Sequence, residues 1–398
     1  MVQEAVVIGA GSAGLSAAAA LRDAGVDALV LERAAQAGAS WRARYDGLRL
    51  NSGRTVSSVP GARIPRSAGQ FPARDAYADY LAGCVERLGL DVRFGVEVSR
   101  IERRDGGYAL STSGGELLAR SVVVATGYDR EPCVPKWPGR FQGELLHARE
   151  YRNPAPFAGR RVLVVGTGNS GTEIAAELSG RGPGPAPRAA RVWLSMRTPV
   201  NVVPRRVLGV PTSALVSRPR RPPARLVDLG GRVLQRLAWG DLSRYGMPRA
   251  PMGIGTEMRV RGLGPVVDGG FVDALKAGRV ALVPAVARFD GAEVVLADDT
   301  RVRPDAVIAA TGYRHGLEAL VGHLGALDSR GRPARVDGGA VPVAPGLHFS
   351  GYHLPLPGQL YGMRATARRI AREVARDRAA SSGRARARAR CRREVATA

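Results

Sequence analysis

Lysine is almost missing from this 398-residue chain: of its 59 basic residues only Lys136 and Lys276 are lysines, and the rest are arginines. Arginine shares the chain with much alanine, glycine and proline, a bias that suits a GC-rich coding sequence as well as a binding surface. The formal charge of +24 is spread along the chain, with one concentration from Arg364 onward, where twelve arginines face Glu373, Asp377 and Glu394. Aromatic residues are also scarce, at 5%, and none is interleaved with the arginines of "SSGRARARARCRREVATA" (381–398) to stack on bases. That stretch lacks apolar periodicity and reads as a solvated, disordered tail. A contact with nucleic acid or an anionic membrane is the competing reading, and no specific nucleic-acid partner is expected.

Cysteine is scarce too. Cys84, Cys133 and Cys391 lie far apart without a CxxC, which excludes a disulfide framework and a dithiol redox centre. The five histidines show no HExxH or other metal-ligand spacing, so no metal is expected. Missing as well are a signal-peptide pattern and any run of about 18 apolar residues. The expectation is a soluble, cytoplasmic protein with no transmembrane segment.

What is present is specific. "EAVVIGAGSAGLSAAAALRDAGVDALVLERA" (4–34) runs from a buried β segment into Gly9-x-Gly11-x-x-Gly14, an Ala-rich helix and a second strand ending at Glu32. Gly9 permits a tight turn, Gly11 lets a pyrophosphate approach the backbone, and Gly14 lets helix pack on strand. The phosphates would sit at the helix N-terminus, and Glu32 is placed to accept hydrogen bonds from a ribose diol. The same grammar returns in "RRVLVVGTGNSGTEIAAELSG" (160–180), with Gly166-x-Gly168-x-x-Gly171. Here the next strand, "RVWLSMRTP" (191–199), ends in Arg197 and not in an acid. A guanidinium can hold the 2′-phosphate that a carboxylate would repel, which favours NADPH over NADH; a merely solvated Arg197 is the alternative.

Two dinucleotide sites in one chain imply hydride transfer between two cofactors, one of them a flavin. "SVVVATGYDREP" (121–132) and "DAVIAATGYRHG" (305–316) both end a strand in Ala-Thr-Gly-Tyr, with Gly127 and Gly312 allowing a turn from one domain to the other. Between the nucleotide motifs, "FQGELLHAREY" (141–151) carries Phe141, Gly143, His147 and Tyr151 in a stretch that reads neither as helix nor as strand.

With these motifs the chain resembles the flavin-containing monooxygenases, including their YUCCA-type branch, from about residue 4 to residue 375. Phe141-x-Gly143-x-x-x-His147-x-x-x-Tyr151 matches the family fingerprint; Baeyer–Villiger monooxygenases are similar but generally carry Trp at the last position. The resemblance implies an α/β fold of two Rossmann-like dinucleotide-binding domains. A discontinuous FAD domain would cover 1–152 and 300–378, and an NADPH domain 153–299 with an insertion at about 203–251, leaving 379–398 as the basic tail. It implies FAD and NADPH as cofactors and dioxygen and a small organic molecule as substrates. Oligomeric state is left open, with a homodimer as one arrangement.

By the same resemblance, cofactor contacts extend to Arg33, to Trp41 in "SWRARYDGLRLNSGRTVSSVPG" (40–61), to Asn169, and to Gly358 ahead of the closing helix. Asn51 falls in an Asn-x-x-Arg arrangement that the family links to stabilising the oxygenated flavin; as part of Asn-Ser-Gly it is also a turn signal. His147 is a positioning residue at a hinge. "GMPRAPMGIG" (246–255) resembles a YUCCA-type stretch. The activity implied is insertion of one atom of O2 through a flavin C4a-(hydro)peroxide, by N- or S-oxygenation or by oxidative decarboxylation of a 2-oxo acid. Alternatives are a Baeyer–Villiger oxygenase, another NADPH-dependent flavin oxidoreductase, or a flavin-bearing module that binds nucleic acid or lipid. A disulfide reductase of the same fold would need a CxxC or CxxxxC, which Cys84, Cys133 and Cys391 cannot form.

Overall fold

A computed structural model describes residues 2–181, 188–217 and 222–396, with side chains through residue 380. Its first sheet runs in the order Asp91–Phe94, Ala28–Glu32, Val2–Ile8, Gly115–Val124, Gly107–Thr112, Val98–Arg104, with Leu347–Phe349 joining Gly115–Val124. The central strands pair in parallel, Val2–Ile8 lying between Ala28–Glu32 and Gly115–Val124. Both faces of these strands are covered, and their apolar runs are accordingly continuous.

The helix Ser12–Asp23 packs against the closing helix Gln359–Ala396 through small side chains, Ala17, Ala18 and Ala367 among them, together with Ile370 and Val374. Alanines there let the two axes come close without leaving voids. The closing helix continues where a disordered tail was expected from residue 379. Alternating Arg and Ala are both strong helix formers, and no Gly or Pro after Gly383 breaks the run. The side chains of that last stretch lie outside the described residues.

The second sheet is wholly parallel, in the order Val280–Val283, Arg191–Ser195, Arg161–Val165, Ala306–Ala309, Glu144–His147. Two expectations need correction here. The fingerprint segment is a strand over Glu144–His147, at the edge of this sheet, and Ala306–Ala309 is its inner neighbour. Boundaries at 152/153 and 299/300 therefore cut both strands from the sheet that holds them. Four-residue strands carry too little alternation for their partner to be read locally, and the pairing is non-local by some 160 residues.

The two chain crossings between the sheets are joined to each other. Glu131–Pro132, after the first Ala-Thr-Gly-Tyr, pairs antiparallel with Tyr313–Arg314, inside and just after the second. Among the described residues no helix is long and apolar enough to cross a membrane.

Candidate active site

The two glycine loops are built alike. Gly9 has φ +108° and Gly166 φ +112°, so an L side chain is excluded at both by conformation. Each also faces the end of its neighbouring strand: a Cβ on Gly9 would lie 2.6 Å from the Ala125 carbonyl oxygen, and one on Gly166 2.5 Å from that of Ala310. Ala125 and Ala310 each open an Ala-Thr-Gly-Tyr, so the repeated tetrapeptide closes against the first glycine of its own loop. Gly14 and Gly171 touch the loop itself, where a Cβ would fall 1.7 Å and 1.9 Å from the oxygens of Gly9 and Gly166. A Cβ on Gly11 or Gly168 meets nothing within 4 Å. Those two glycines border open space over a helix N-terminus, the arrangement that a pyrophosphate fits.

At the first loop, the Glu32 carboxylate accepts the backbone N–H groups of Ala10 at 2.7 Å and Ala34 at 2.9 Å. It ties the loop to the strand end, and each of its oxygens keeps a free lone pair. Trp41 Nε1 donates to Ser12 Oγ at 3.2 Å and meets Tyr77 edge to face at 4.8 Å, while Tyr77 bonds the same hydroxyl at 3.1 Å. Arg33 stands exposed, 4.0 Å from Glu97. At the second loop, Asn169 Oδ1 accepts from Val267 N–H at 2.9 Å, so this side chain braces the strand Val266–Asp268. Arg197 is exposed beyond the strand Arg191–Ser195. Gly127 and Gly312 take φ +96° and +87° at the two crossings.

Each fingerprint residue meets a different part of the second domain. Phe141 packs on Phe289 at 5.4 Å. Gly143 passes so close to the Phe141 ring and to Asp305 that a Cβ would meet them at 2.6 Å and 2.8 Å. His147 is buried, and its Nδ1 accepts the Arg149 N–H at 3.1 Å, which leaves the proton on Nε2. That Nε2–H donates to the Gly312 carbonyl at 3.1 Å, which also accepts the Cys133 N–H at 3.0 Å. Burial holds the His147 pKa below its ordinary value and keeps the ring neutral. The histidine thus fixes the point where the crossings meet. Tyr151 is buried against Phe157 and donates to Glu177 Oε2 at 2.9 Å.

Residues that the sequence did not single out complete the site. Glu173 and Glu177, four apart after the second glycine loop, turn inward on one helical face. The first domain's Tyr45 donates to Glu173, as Tyr151 does to Glu177. Burial raises the pKa of both carboxyls, that of Glu177 to about 7. Arg205 Nη2 lies 3.6 Å from Glu173 Oε1 and donates to Asn51 Oδ1 at 2.9 Å. The visible signal was an acid in each turn of an otherwise apolar helix, "TEIAAEL" (172–178).

Next to Asn51, Ser52 lies 3.8 Å from the position a Cβ on Gly358 would take, so the segment adjoins the start of the closing helix. On its other side, Gly53 N–H donates to Ser213 Oγ at 3.0 Å, bringing the expected insertion at 203–251 onto the segment. A pocket of about 760 Å³, lined in part by Arg49, Phe71, Arg205, Arg206, Trp239 and Asp268, adjoins this segment through Arg205, which bonds Asn51. Burial raises the Asp268 pKa. Arg205 Nε and Glu173 Oε1 are buried there without a hydrogen-bond partner among the described residues.

Residues 114–323 match the flavin-binding monooxygenase-like family, more than half of the chain, and residues 6–184 match the pyridine nucleotide-disulphide oxidoreductase family. An indole-3-pyruvate monooxygenase, YUCCA1 of Oryza sativa subsp. japonica, is 34% identical over 336 residues, covering 83% of this chain and 81% of its own. The chain belongs to the flavin-binding monooxygenase family. It lies on the YUCCA-like branch, with FAD and NADPH as cofactors and dioxygen and a small molecule as substrates. Among solved structures, a flavin-containing monooxygenase from Stenotrophomonas maltophilia aligns with a TM-score of 0.68 and 28% identity, over 93% of this chain and 97% of that one. A steroid monooxygenase solved with NADP bound aligns with a TM-score of 0.69 at 19% identity, over 96% and 86% of the two chains, a likeness of fold alone.

Proposed function

We propose that this monooxygenase acts on an aromatic 2-oxo acid and decarboxylates it oxidatively to the acid one carbon shorter. The observation that carries the reading is the pocket beside Asn51, where Arg49, Arg205 and Arg206 stand with Phe71 and Trp239. A volume of about 760 Å³ suits a small aromatic molecule. Guanidinium groups can take a carboxylate through paired hydrogen bonds, and the two aromatic side chains can take a ring. The relative named above, an indole-3-pyruvate monooxygenase, takes by its name a substrate of this class.

FAD, when bound, accepts a hydride from NADPH and activates dioxygen, the chemistry that no side chain supplies. The side chains bind, orient and exclude water. Gly11 and Gly168 would admit the pyrophosphates of FAD and NADPH, Glu32 a ribose, and Arg197 the 2′-phosphate. Asn51 would lie beside the reacting atoms, its amide donating and accepting without offering an acidic proton. Arg205 holds the Asn51 amide through its oxygen and so fixes its orientation. Balanced, the 2-oxo acid, O2, NADPH and a proton give the shortened acid, CO2, water and NADP⁺.

The purified, FAD-loaded protein would be given NADPH, 18O2 and either indole-3-pyruvate, a tertiary amine, a thioether or a cyclic ketone. One 18O in the acid product with matching CO2 release is the expected result. Turnover of the amine, thioether or ketone without turnover of the 2-oxo acid would overturn the reading in favour of N- or S-oxygenation or Baeyer–Villiger chemistry.

A further inference from the structure

The helix Ala224–Trp239 presents three different faces. Gly231 packs against Ile254, and Asp228 accepts from Thr256, so this side is seated on the neighbouring helix Ile254–Arg261. Leu226, Leu229, Val233 and Leu237, spaced three, four and four, form a separate stripe and are 60, 59, 49 and 81% exposed. Arg225, Arg232 and Arg236 fall in one row along the flank of that stripe by helical geometry.

A second exposed apolar feature stands nearby. Leu208, at the tip of the hairpin formed by Arg206–Val207 and Val210–Pro211, is 98% exposed and takes φ 48°, a left-handed conformation uncommon outside glycine. Arg206, two residues before it, and Trp239, two residues after Leu237, line the same pocket. Residues 203–251 carry ten arginines and two aspartates, a net of eight positive charges.

We infer that this helix and hairpin form a docking surface for an anionic lipid membrane, with the pocket mouth at the membrane. An apolar stripe bordered by arginines on a helix too polar to span a bilayer is the pattern of an in-plane amphipathic helix. The leucines enter the headgroup and acyl boundary while the arginine row meets lipid phosphates, and the arginine stems reach upward along the stripe. A second copy of the chain is the other apolar occupant to weigh. Antiparallel self-pairing through this face would set one arginine row beside the other, whereas an anionic surface neutralises it. The inference does not depend on which substrate the pocket takes.

The test is co-sedimentation of the FAD-loaded full-length protein with vesicles of phosphatidylcholine alone or mixed with phosphatidylglycerol, alongside light scattering without vesicles. Wild type should bind the mixed vesicles and bind pure phosphatidylcholine far more weakly. Leu229→Gln with Leu237→Gln should weaken binding by about tenfold or more, and Arg232→Gln or Arg236→Gln by about fivefold each at low salt. A retained flavin spectrum and unchanged NADPH oxidation in solution show that these variants are folded. Failure to bind mixed vesicles would overturn the inference. So would full binding by the leucine variant, which would mean charge alone, or a wild-type dimer that the leucine substitutions dissociate, which would give the face to a second copy.

Discussion

Arg205 Nη2 donates to Asn51 Oδ1 at 2.9 Å, and the same guanidinium lies 3.6 Å from Glu173. One arginine of the second domain thereby joins a pocket wall, a first-domain amide and a buried acid on the helix after the second glycine loop. Removing the amide leaves this arginine without its oxygen and the proposed reacting site without a dual hydrogen-bonding group. Asn51→Ala should raise the share of NADPH electrons lost as hydrogen peroxide, read as peroxide formed per NADPH consumed. An unaltered ratio would take Asn51 out of the oxygen chemistry.

Arg205 also lines the pocket, where a guanidinium can meet a carboxylate. Arg205→Met should raise KM for a 2-oxo acid by about tenfold to a hundredfold, the range of a hydrogen bond to a charged group. Steady-state kinetics against a neutral substrate of similar shape is the control, and an equal loss for both would reduce Arg205 to a structural part.

The two glycine types in one loop should separate folding from binding. In Gly171→Ala the new Cβ would fall 1.9 Å from the Gly166 oxygen, a clash with backbone, and thermal stability should drop by several degrees or the protein fail to fold. In Gly168→Ala the Cβ meets nothing within 4 Å, so the melting temperature should hold while KM for NADPH rises. Equal melting losses for both would contradict this division.

Arg197 is exposed, and its loss should hardly alter stability. Arg197→Ala should raise KM for NADPH much more than for NADH. A preference for NADPH that survives the substitution would place 2′-phosphate recognition elsewhere.

Glu177 gives a pH dependence. Burial raises its pKa from 4.5 to about 7, so the folded state holds a proton that the unfolded state releases. Its contribution is fully present below the ordinary carboxyl value and is lost as pH rises through about 7. The span amounts to on the order of 3 kcal/mol. The melting temperature of wild type should fall between roughly pH 5 and roughly pH 8, and Glu177→Gln should flatten that slope. Parallel slopes for the two proteins would assign the titration to another group.

The glycines, the strand-end Glu32 and the paired Ala-Thr-Gly-Tyr were legible because each answers a local demand. A left-handed φ, a close backbone approach or a strand end is met within a few residues, and the sequence alone therefore determined two nucleotide-binding units and the family. The fingerprint was legible only as a pattern. That Glu144–His147 is a strand, and that His147 bonds Gly312, depends on pairing with Ala306–Ala309 far along the chain. Only the tertiary structure could bring Tyr45 to Glu173, or Arg205 to Asn51 154 residues away. Burial decided the rest: carboxyls of ordinary identity acquire raised pKa values, and Leu226, Leu229 and Leu237 stay uncovered, through what packs around them and not through what they are.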